Sequence, residues 1–361
     1  MKLLFIAGTD SPHSHRWIGS FLKPKYQLGW ISLRGSEAPK EQHLFKINPS
    51  PSEFDNNFLQ LVITWLKSII TVLLWRPDLI HIHYMGTNGL LGLLLPCKFK
   101  VFTAWGSDVI FPKYPRLVKL MIKRADLITT DADHVVKRLV ELGADKEIIR
   151  VINFGIETQK FTKKSYEKKF REKLFPGIND DNPIIISLRI HEEVYDIPTF
   201  INAAPEVLKI FPDVKFAIGG TGTLTESYKE LVKKLKLTES FNFFGRYNHQ
   251  ELPHLFGQCT AYVSTSLSDA GISGSTAEAM SCEVPVIISK SGENELWVKD
   301  KVNGFLFEVK DQEKLSRNII ELLRSPKAEE IGKRGRQVVI DRNDLVNEMS
   351  KMEDLYKDLL N

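Results

Sequence analysis

The chain has 361 residues, 26% of them charged and 43% hydrophobic, with a formal net charge of +4; this is a globular composition long enough for two domains, not a disordered chain. So small a charge, with no basic strand interleaved with aromatics, gives no support for nucleic-acid binding, although a basic stripe could favour an anionic membrane surface. Cys97, Cys259 and Cys282 have no metal-like spacing and fit buried or incidental thiols in a reducing cytoplasm.

Lys2 to Ala7 is a continuous apolar run, too short for a signal-peptide core and suited to a strand buried on both faces of a parallel sheet. Gly8-Thr9-Asp10 follows, with one glycine where a dinucleotide fingerprint needs three, so NAD is not supported. A helix from about His13 to Leu22 and a strand Gln27 to Leu33 come next, then a polar, proline-bearing loop over 34–57. Leu59 to Trp75 is the longest apolar segment. Gln60, Thr64, Lys67 and Ser68 interrupt it, so 58–75 reads as a helix packed on a sheet, not as a membrane span, though it could touch a membrane. Strands follow at Leu79 to Tyr84, Lys100 to Thr103, Leu127 to Thr130 and Ile148 to Asn153, with helices at Asn88 to Leu95, 115–123 and from Asp131-Ala132-Asp133 to Gly143. That D-x-D looks like a metal motif, but its place at a helix start reads as capping.

A run of lysines and arginines between Lys163 and Asp181 reads as an exposed helix and the domain linker. Beyond it the pattern repeats. Strands are expected at Pro183 to Leu188, Val214 to Ile218, Phe241 to Phe244, Ala261 to Val263, Val286 to Ile288 and Phe305 to Phe307, with a helix at Pro198 to Ile210 and a charged helical tail over about 328–361. The fold class is therefore α/β, two Rossmann-like domains with parallel sheets facing across a cleft. The first spans 1–165, the second 180–340, and the terminal helix, about 340–361, can return to the first. Loops after the strands carry the site.

The most informative stretch runs from Ser264 to Met280. A strand, a small-residue loop with Gly271 and Gly274, and a helix starting near Ser275 make an anion site suited to a diphosphate. Glu278 could reach a sugar or ribose hydroxyl; alternatively Ser275-x-x-Glu278 is a capping box. His81 and His83 share a strand face, as do His13 and His15 in a second pair; lacking further ligands at useful spacing, His83 or His15 reads as a hydrogen-bond donor to a ligand, not as part of a zinc site. Asp108, after a strand end, could contact an acceptor hydroxyl or cap a turn.

Asn153-Phe154-Gly155-Ile156-Glu157, Leu188-Arg189, Ile218-Gly219-Gly220-Thr221-Gly222, Phe244-Gly245-Arg246, Glu278-Ala279-Met280 with Pro285-Val286-Ile287, and Asn303-Gly304-Phe305-Leu306 occur in that order. The order resembles the retaining family 4 glycosyltransferases (glycosyl transferases group 1, GT-B fold). The resemblance implies a metal-independent, hexosyltransferase-type enzyme with no cofactor. Its donor substrate would be a nucleotide-diphosphate sugar, bound by Arg189, Gly220, Gly271, Ile272, Ser273, Gly274, Ser275, Thr276 and Glu278. Its acceptor would be a glycan or lipid-linked hydroxyl in cell-surface polysaccharide, lipid-linked glycan or glycolipid synthesis, met by His15, Arg16 and Trp105. Asp269, Asp108 and His83 are the candidate catalytic side chains. A cytoplasmic protein is expected, with peripheral contact at the inner membrane face open to it and no nucleic-acid partner. The sequence departs from the family in three places. Ala270 stands where a glutamate is usual, with Asp269 beside it; no lysine follows Arg189 over His191 to Asp196; and Trp105 replaces a frequent histidine. An epimerase or hydrolase on the same fold and a non-catalytic nucleotide-sugar binder are the competing readings.

Overall fold

The computed structural model describes residues 1–9, 11–33, 44–47, 58–269 and 271–361. The chain divides into two compact units, residues 1–155 with 345–361, and residues 156–344. The seam falls at Gly155, not in the charged run 163–181. In that run the helix Lys168–Leu174 buries Phe170 and Leu174, and the Arg171 guanidinium donates to the carbonyls of Asn179, Asn182 and Gln258, which fixes the segment inside the second unit. Gly155 has φ +79°, and a side chain there would come within 2.9 Å of Leu345 Cα. Glycine is needed for so close a crossing.

The first unit is a seven-stranded sheet. Its strands are β1 (Lys2–Ile6), β2 (Gln27–Ile31), β3 (Leu44–Ile47), β4 (Leu79–His83), β5 (Phe99–Ala104), β6 (Leu127–Thr130) and β7 (Ile149–Val151), in the order β3-β2-β1-β4-β5-β6-β7, parallel throughout. β3 lies within the stretch expected to be loop; four residues between proline-bearing polar segments give no period to read. The rest of that expected loop, 34–43 and 48–57, lies outside the described residues, as do Asp10 and Ala270.

Side chains of successive strand residues go to opposite faces. Leu4 and Ile6 join Ile80, Ile82 and Phe102 under the helices Phe58–Trp75, Thr87–Leu94, Pro115–Lys123 and Asp133–Glu141. Leu3 and Phe5 face the other way, toward the helices Pro12–Ser20 and Leu345–Leu360. The tail is two helices. Ala328–Asn343 belongs to the second unit, and after Asp344 the helix Leu345–Leu360 packs on the first. Its Tyr356 is fully buried and bonds His81 Nδ1, while Glu348 accepts from the amide of Asn153 at 2.8 Å.

The second unit is a six-stranded parallel sheet of β8 (Ile184–Leu188), β9 (Lys215–Gly219), β10 (Phe241–Gly245), β11 (Ala261–Ser264), β12 (Val286–Ser289) and β13 (Phe305–Phe307), ordered β10-β9-β8-β11-β12-β13. Both sheets contain the 3-2-1-4-5-6 order of dinucleotide-binding folds, in which ligands bind beyond the carboxyl ends of the strands where the order reverses. In the second unit that point lies between β8 and β11. Those strands pair only at Ala261 with Ile185 and Tyr262 with Ile186, so their last residues part and leave a crevice. In the first unit it lies between β1 and β4.

Candidate functional site

Arg189 is the first residue after β8, and Ser264 is the last of β11. The two strand ends are tied together by the guanidinium: Nε and Nη2 donate to Ser264 Oγ at 3.1 and 2.6 Å. Nη2 also donates to Ser273 Oγ at 2.8 Å and to Asp269 Oδ2 at 3.2 Å. The Tyr195 ring covers it, centroid 5.3 Å from the guanidinium carbon. The Arg189 and Asp269 side chains are only 8% and 9% exposed. Burial opposes the charge on Arg189, but Tyr262, Asp269, Tyr195 and Tyr247 outweigh it and raise its pKa above the ordinary value. The guanidinium is a fixed cation in a dry crevice, balanced by one carboxylate. Gly220, at φ +114°, lies against it, and a side chain there would meet the Arg189 carbonyl oxygen at 2.0 Å.

The loop after β11 leads into the helix Gly274–Ser281. Its cap is Ser273, whose Oγ accepts from the amide of Thr276 at 3.3 Å and bonds Thr276 Oγ1 at 2.7 Å. Ser275 is therefore not the cap: its Oγ donates to the Leu188 carbonyl at 3.3 Å and receives Tyr262 Oη at 2.8 Å. Those bonds hold the loop in place and leave the amides of Gly274 and Ser275, at the positive end of the helix, without a carbonyl inside it. Gly271 and the buried Ile272 precede them.

The capping-box alternative for Glu278 does not form. Glu278 is 4% exposed and faces His249, whose Nε2 lies 2.8 Å from Oε1. His249 in turn packs on Phe161, ring centroids 5.3 Å apart. Tyr247 is a further member of this group; burial first, then Tyr262 and Glu278, push its phenol above the usual value, with Arg189 pulling the other way. Neither His249 nor Tyr247 was legible as a site residue, because a tyrosine and a histidine in a loop after β10 carry no pattern of their own.

In the first unit, the expected acceptor-side residues have partners within the fold. His15 Nε2 donates to the Thr9 carbonyl at 2.8 Å, and Arg16 Nη1 to the Gly155 carbonyl at 2.7 Å. Trp105 is half-buried and stacked on His13, with ring centroids 5.3 Å apart. Asp108 clamps two strand-end loops: Oδ2 accepts from the amide of Met85 at 2.7 Å and Oδ1 from that of Trp105 at 3.1 Å. Burial pushes its carboxyl up to about 6, against the pull of the amides of Met85, Trp105 and Gly106. The turn-clamp reading of Asp108 is the one the geometry realises.

His83 lies at the reversal point of the first sheet but is 2% exposed. Trp17, Trp105, His81 and Phe5 wall it, with ring centroids 4.7–6.1 Å away. Among the described residues neither ring nitrogen has a hydrogen-bond partner. Burial, with a smaller push from His13, lowers its pKa to about 3. His83 is therefore a neutral core imidazole at ordinary pH, not an exposed donor to a ligand. His81 bonds Tyr356 and, at 2.6 Å, Thr103. In the D-x-D stretch the N-cap is Ala132, so neither aspartate caps the helix; Asp133 stands in its first turn, where a negative charge suits the helix dipole. Among the described residues no group of three or more histidine, cysteine or carboxylate side chains is placed to ligate an ion.

Two Rossmann-like units in one chain, the second with a cation and a helix N-terminus at the point where its strand order reverses, define the GT-B class. The sequence model for glycosyl transferases group 1 matches residues 168–338, and that for glycosyl transferase 4-like proteins matches residues 2–132. The chain belongs to the group 1 glycosyltransferases. It is 23% identical over 313 residues to the alpha-monoglucosyldiacylglycerol synthase of Acholeplasma laidlawii, covering 79% of this chain and 76% of that one. It is likewise 23% identical over 304 residues to an Escherichia coli UDP-Gal:alpha-D-GlcNAc-diphosphoundecaprenol alpha-1,3-galactosyltransferase, with the same coverage. Among solved structures, Anabaena HepE in complex with UDP superposes with a TM-score of 0.79 over 99% of this chain and 100% of that one, at 19% identity.

Proposed function

We propose that this glycosyltransferase takes a sugar from a nucleoside-diphosphate sugar held in the second unit and attaches it, with retention of anomeric configuration and without a divalent ion, to a hydroxyl of a membrane lipid or lipid-linked glycan. The observation that carries this reading is the grouping of Arg189, Ser264, Ser273 and the first amides of the helix Gly274–Ser281 at one crevice. A diphosphate there meets a guanidinium fork and main-chain donors, which stabilise charge as it develops on the leaving group. Asp269 pairs with that guanidinium. An incoming diphosphate displaces it, and the released carboxylate is then free to take a sugar hydroxyl. Glu278, steadied by His249, takes the ribose hydroxyls.

Two side chains of the first unit support the retaining reading. His83 stays neutral and walled in, and Asp108 is committed to two amides, so neither is a ready base. The departing phosphate oxygen takes the acceptor proton as the new glycosidic bond forms on the face it leaves. The lipid acceptor is supported by the relatives named for glucosyldiacylglycerol and for diphosphoundecaprenol.

The test is nucleoside-diphosphate release from a panel of nucleotide-sugars, with and without diacylglycerol-based or polyprenyl-diphosphate-sugar acceptors. Release that requires acceptor, and persists in chelator, is expected. Release without acceptor makes the protein a hydrolase and overturns transfer; activity abolished by chelator and restored by manganese overturns the ion-free chemistry. Nuclear magnetic resonance of the anomeric proton in the product decides retention.

A further inference from the structure

The helix Phe58–Trp75 is predominantly apolar. Trp65, Ile69 and Val72 pack toward the first sheet. The opposite side presents Ile63, Leu66, Ile70, Leu73 and Leu74, spaced as one helical stripe; each is at least 42% exposed, and Leu74 is 80% exposed. A helix with so wide an apolar surface normally has something against both sides. The stripe has neighbours. The helices Thr87–Leu94 and Pro115–Lys123 lie in the same layer over the sheet, and a side chain at Gly89 would strike Met121 at 2.6 Å. They add exposed Leu94 and Leu120, and the turn before the second adds Phe111, 82% exposed, and Tyr114.

Charge in this stretch is one-sided. Residues 58–124 carry nine lysines and arginines against two acids, +7 where the whole chain is +4, so the remainder sums to −3. Both acids are engaged within the fold: Asp78 accepts from the amide of Lys2, and Asp108 is the clamp already described. Lys67 stands within the stripe, and Arg116, Lys119 and Lys123 are exposed around Leu120.

We infer that this helical layer of the first unit is a docking face for the surface of an anionic lipid bilayer. The apolar stripe enters the boundary between headgroups and acyl chains, and the cations meet anionic headgroups. Protein interfaces are depleted in lysine, which makes a protein partner a poorer match. Among the described residues no helix is long and apolar enough to cross a membrane, so the contact is with the surface. From the proposed function this takes only that the acceptor is membrane-borne.

The experiment is flotation of the full chain with vesicles of phosphatidylcholine alone, or with about 30 mol% phosphatidylglycerol. Binding to the anionic vesicles is expected to be at least roughly tenfold tighter and to weaken in about 0.5 M salt. Lys119→Glu with Lys123→Glu should bring it down toward the phosphatidylcholine level, and Leu73→Ser with Leu74→Ser should lower binding to both; native tryptophan emission confirms that each variant is folded. No binding, equal binding to the two vesicle types, or a dimer in light scattering that the leucine pair dissolves would overturn the assignment. Turnover of a detergent-dispersed acceptor is read in parallel. If turnover persists without vesicle binding, this inference fails alone; if vesicles bind but no acceptor is ever used, the functional reading fails alone.

Discussion

Replacing His83 by leucine tests the burial argument for the first unit. In the fold the imidazole is held neutral down to about pH 3, whereas in the unfolded chain it protonates near 6.5. A group whose folded pKa is depressed contributes stability above its unfolded value and loses it as pH falls toward the folded one. Between pH 7.5 and pH 5 the unfolded state gains nearly one proton at this site that the folded state does not bind, which costs about 2 kcal/mol. Asp108 works in the opposite sense, because its folded pKa is raised to about 6, and it offsets about 1.4 kcal/mol of that loss over the same interval. The wild-type curve alone is therefore ambiguous, and the difference between variant and wild type is the quantity to follow. Five of the six tryptophans (17, 30, 65, 75 and 105) lie in the first unit, so urea unfolding followed by tryptophan emission reports mainly on it. The gap between His83→Leu and wild type should move by about 2 kcal/mol in favour of the variant from pH 7.5 to pH 5. A gap that stays constant across that interval would show that the imidazole is not kept neutral, and the reading of His83 as core would be wrong.

Arg189→Ala should lower nucleotide-sugar turnover about a hundredfold, the scale of losing one preorganised donor to a developing oxyanion; steady-state kinetics near the wild-type value would remove it from the leaving-group site. Glu278→Gln should weaken nucleoside-diphosphate binding by roughly tenfold with the melting temperature largely kept, and His249→Ala should follow in the same direction by a smaller factor. Calorimetric titration decides, and loss of melting temperature with unchanged affinity would make the pair structural. Asp108→Asn keeps one acceptor but turns an amino group toward the other amide, at a cost of about 1–3 kcal/mol in unfolding free energy; a larger effect on turnover than on stability would instead place Asp108 at the acceptor.

Much of the architecture can be read directly from residue order. Runs such as Leu3 to Ile6 and Ile184 to Leu188 are apolar without alternation because both faces of a parallel sheet are covered, and that signature needs no partner to interpret. The expected strand at Leu79 to Tyr84 ends one residue earlier, at His83, and the helix 58–75 has the expected bounds. Tertiary pairings are hidden because they join distant residues. His249 and Glu278 are 29 positions apart, and His81 and Tyr356 are 275 apart. Local rules also leave close rivals undecided. Ser273 and Ser275 are equally good caps by composition, and the choice falls to Ser273 because Ser275 is drawn to Tyr262 and the Leu188 carbonyl. A histidine two residues along a strand from another signals a shared face, but whether that face is open depends on Trp17 and Trp105, from a helix and another strand end.

The return of the helix Leu345–Leu360 to the first unit affects how the chain comes to be folded. The second unit, residues 156–344, is contiguous in sequence and can close as soon as it leaves the ribosome. The first has all its strands synthesised early yet lacks one wall, the one that buries Leu3 and Phe5 and gives His81 its phenol, until residues 345–361 emerge. Order of synthesis and order of completion are thus reversed. A chain stopped at Asp344 would keep its later-made half and leave the earlier one an open sheet with an apolar face, the form most exposed to chaperones and proteases.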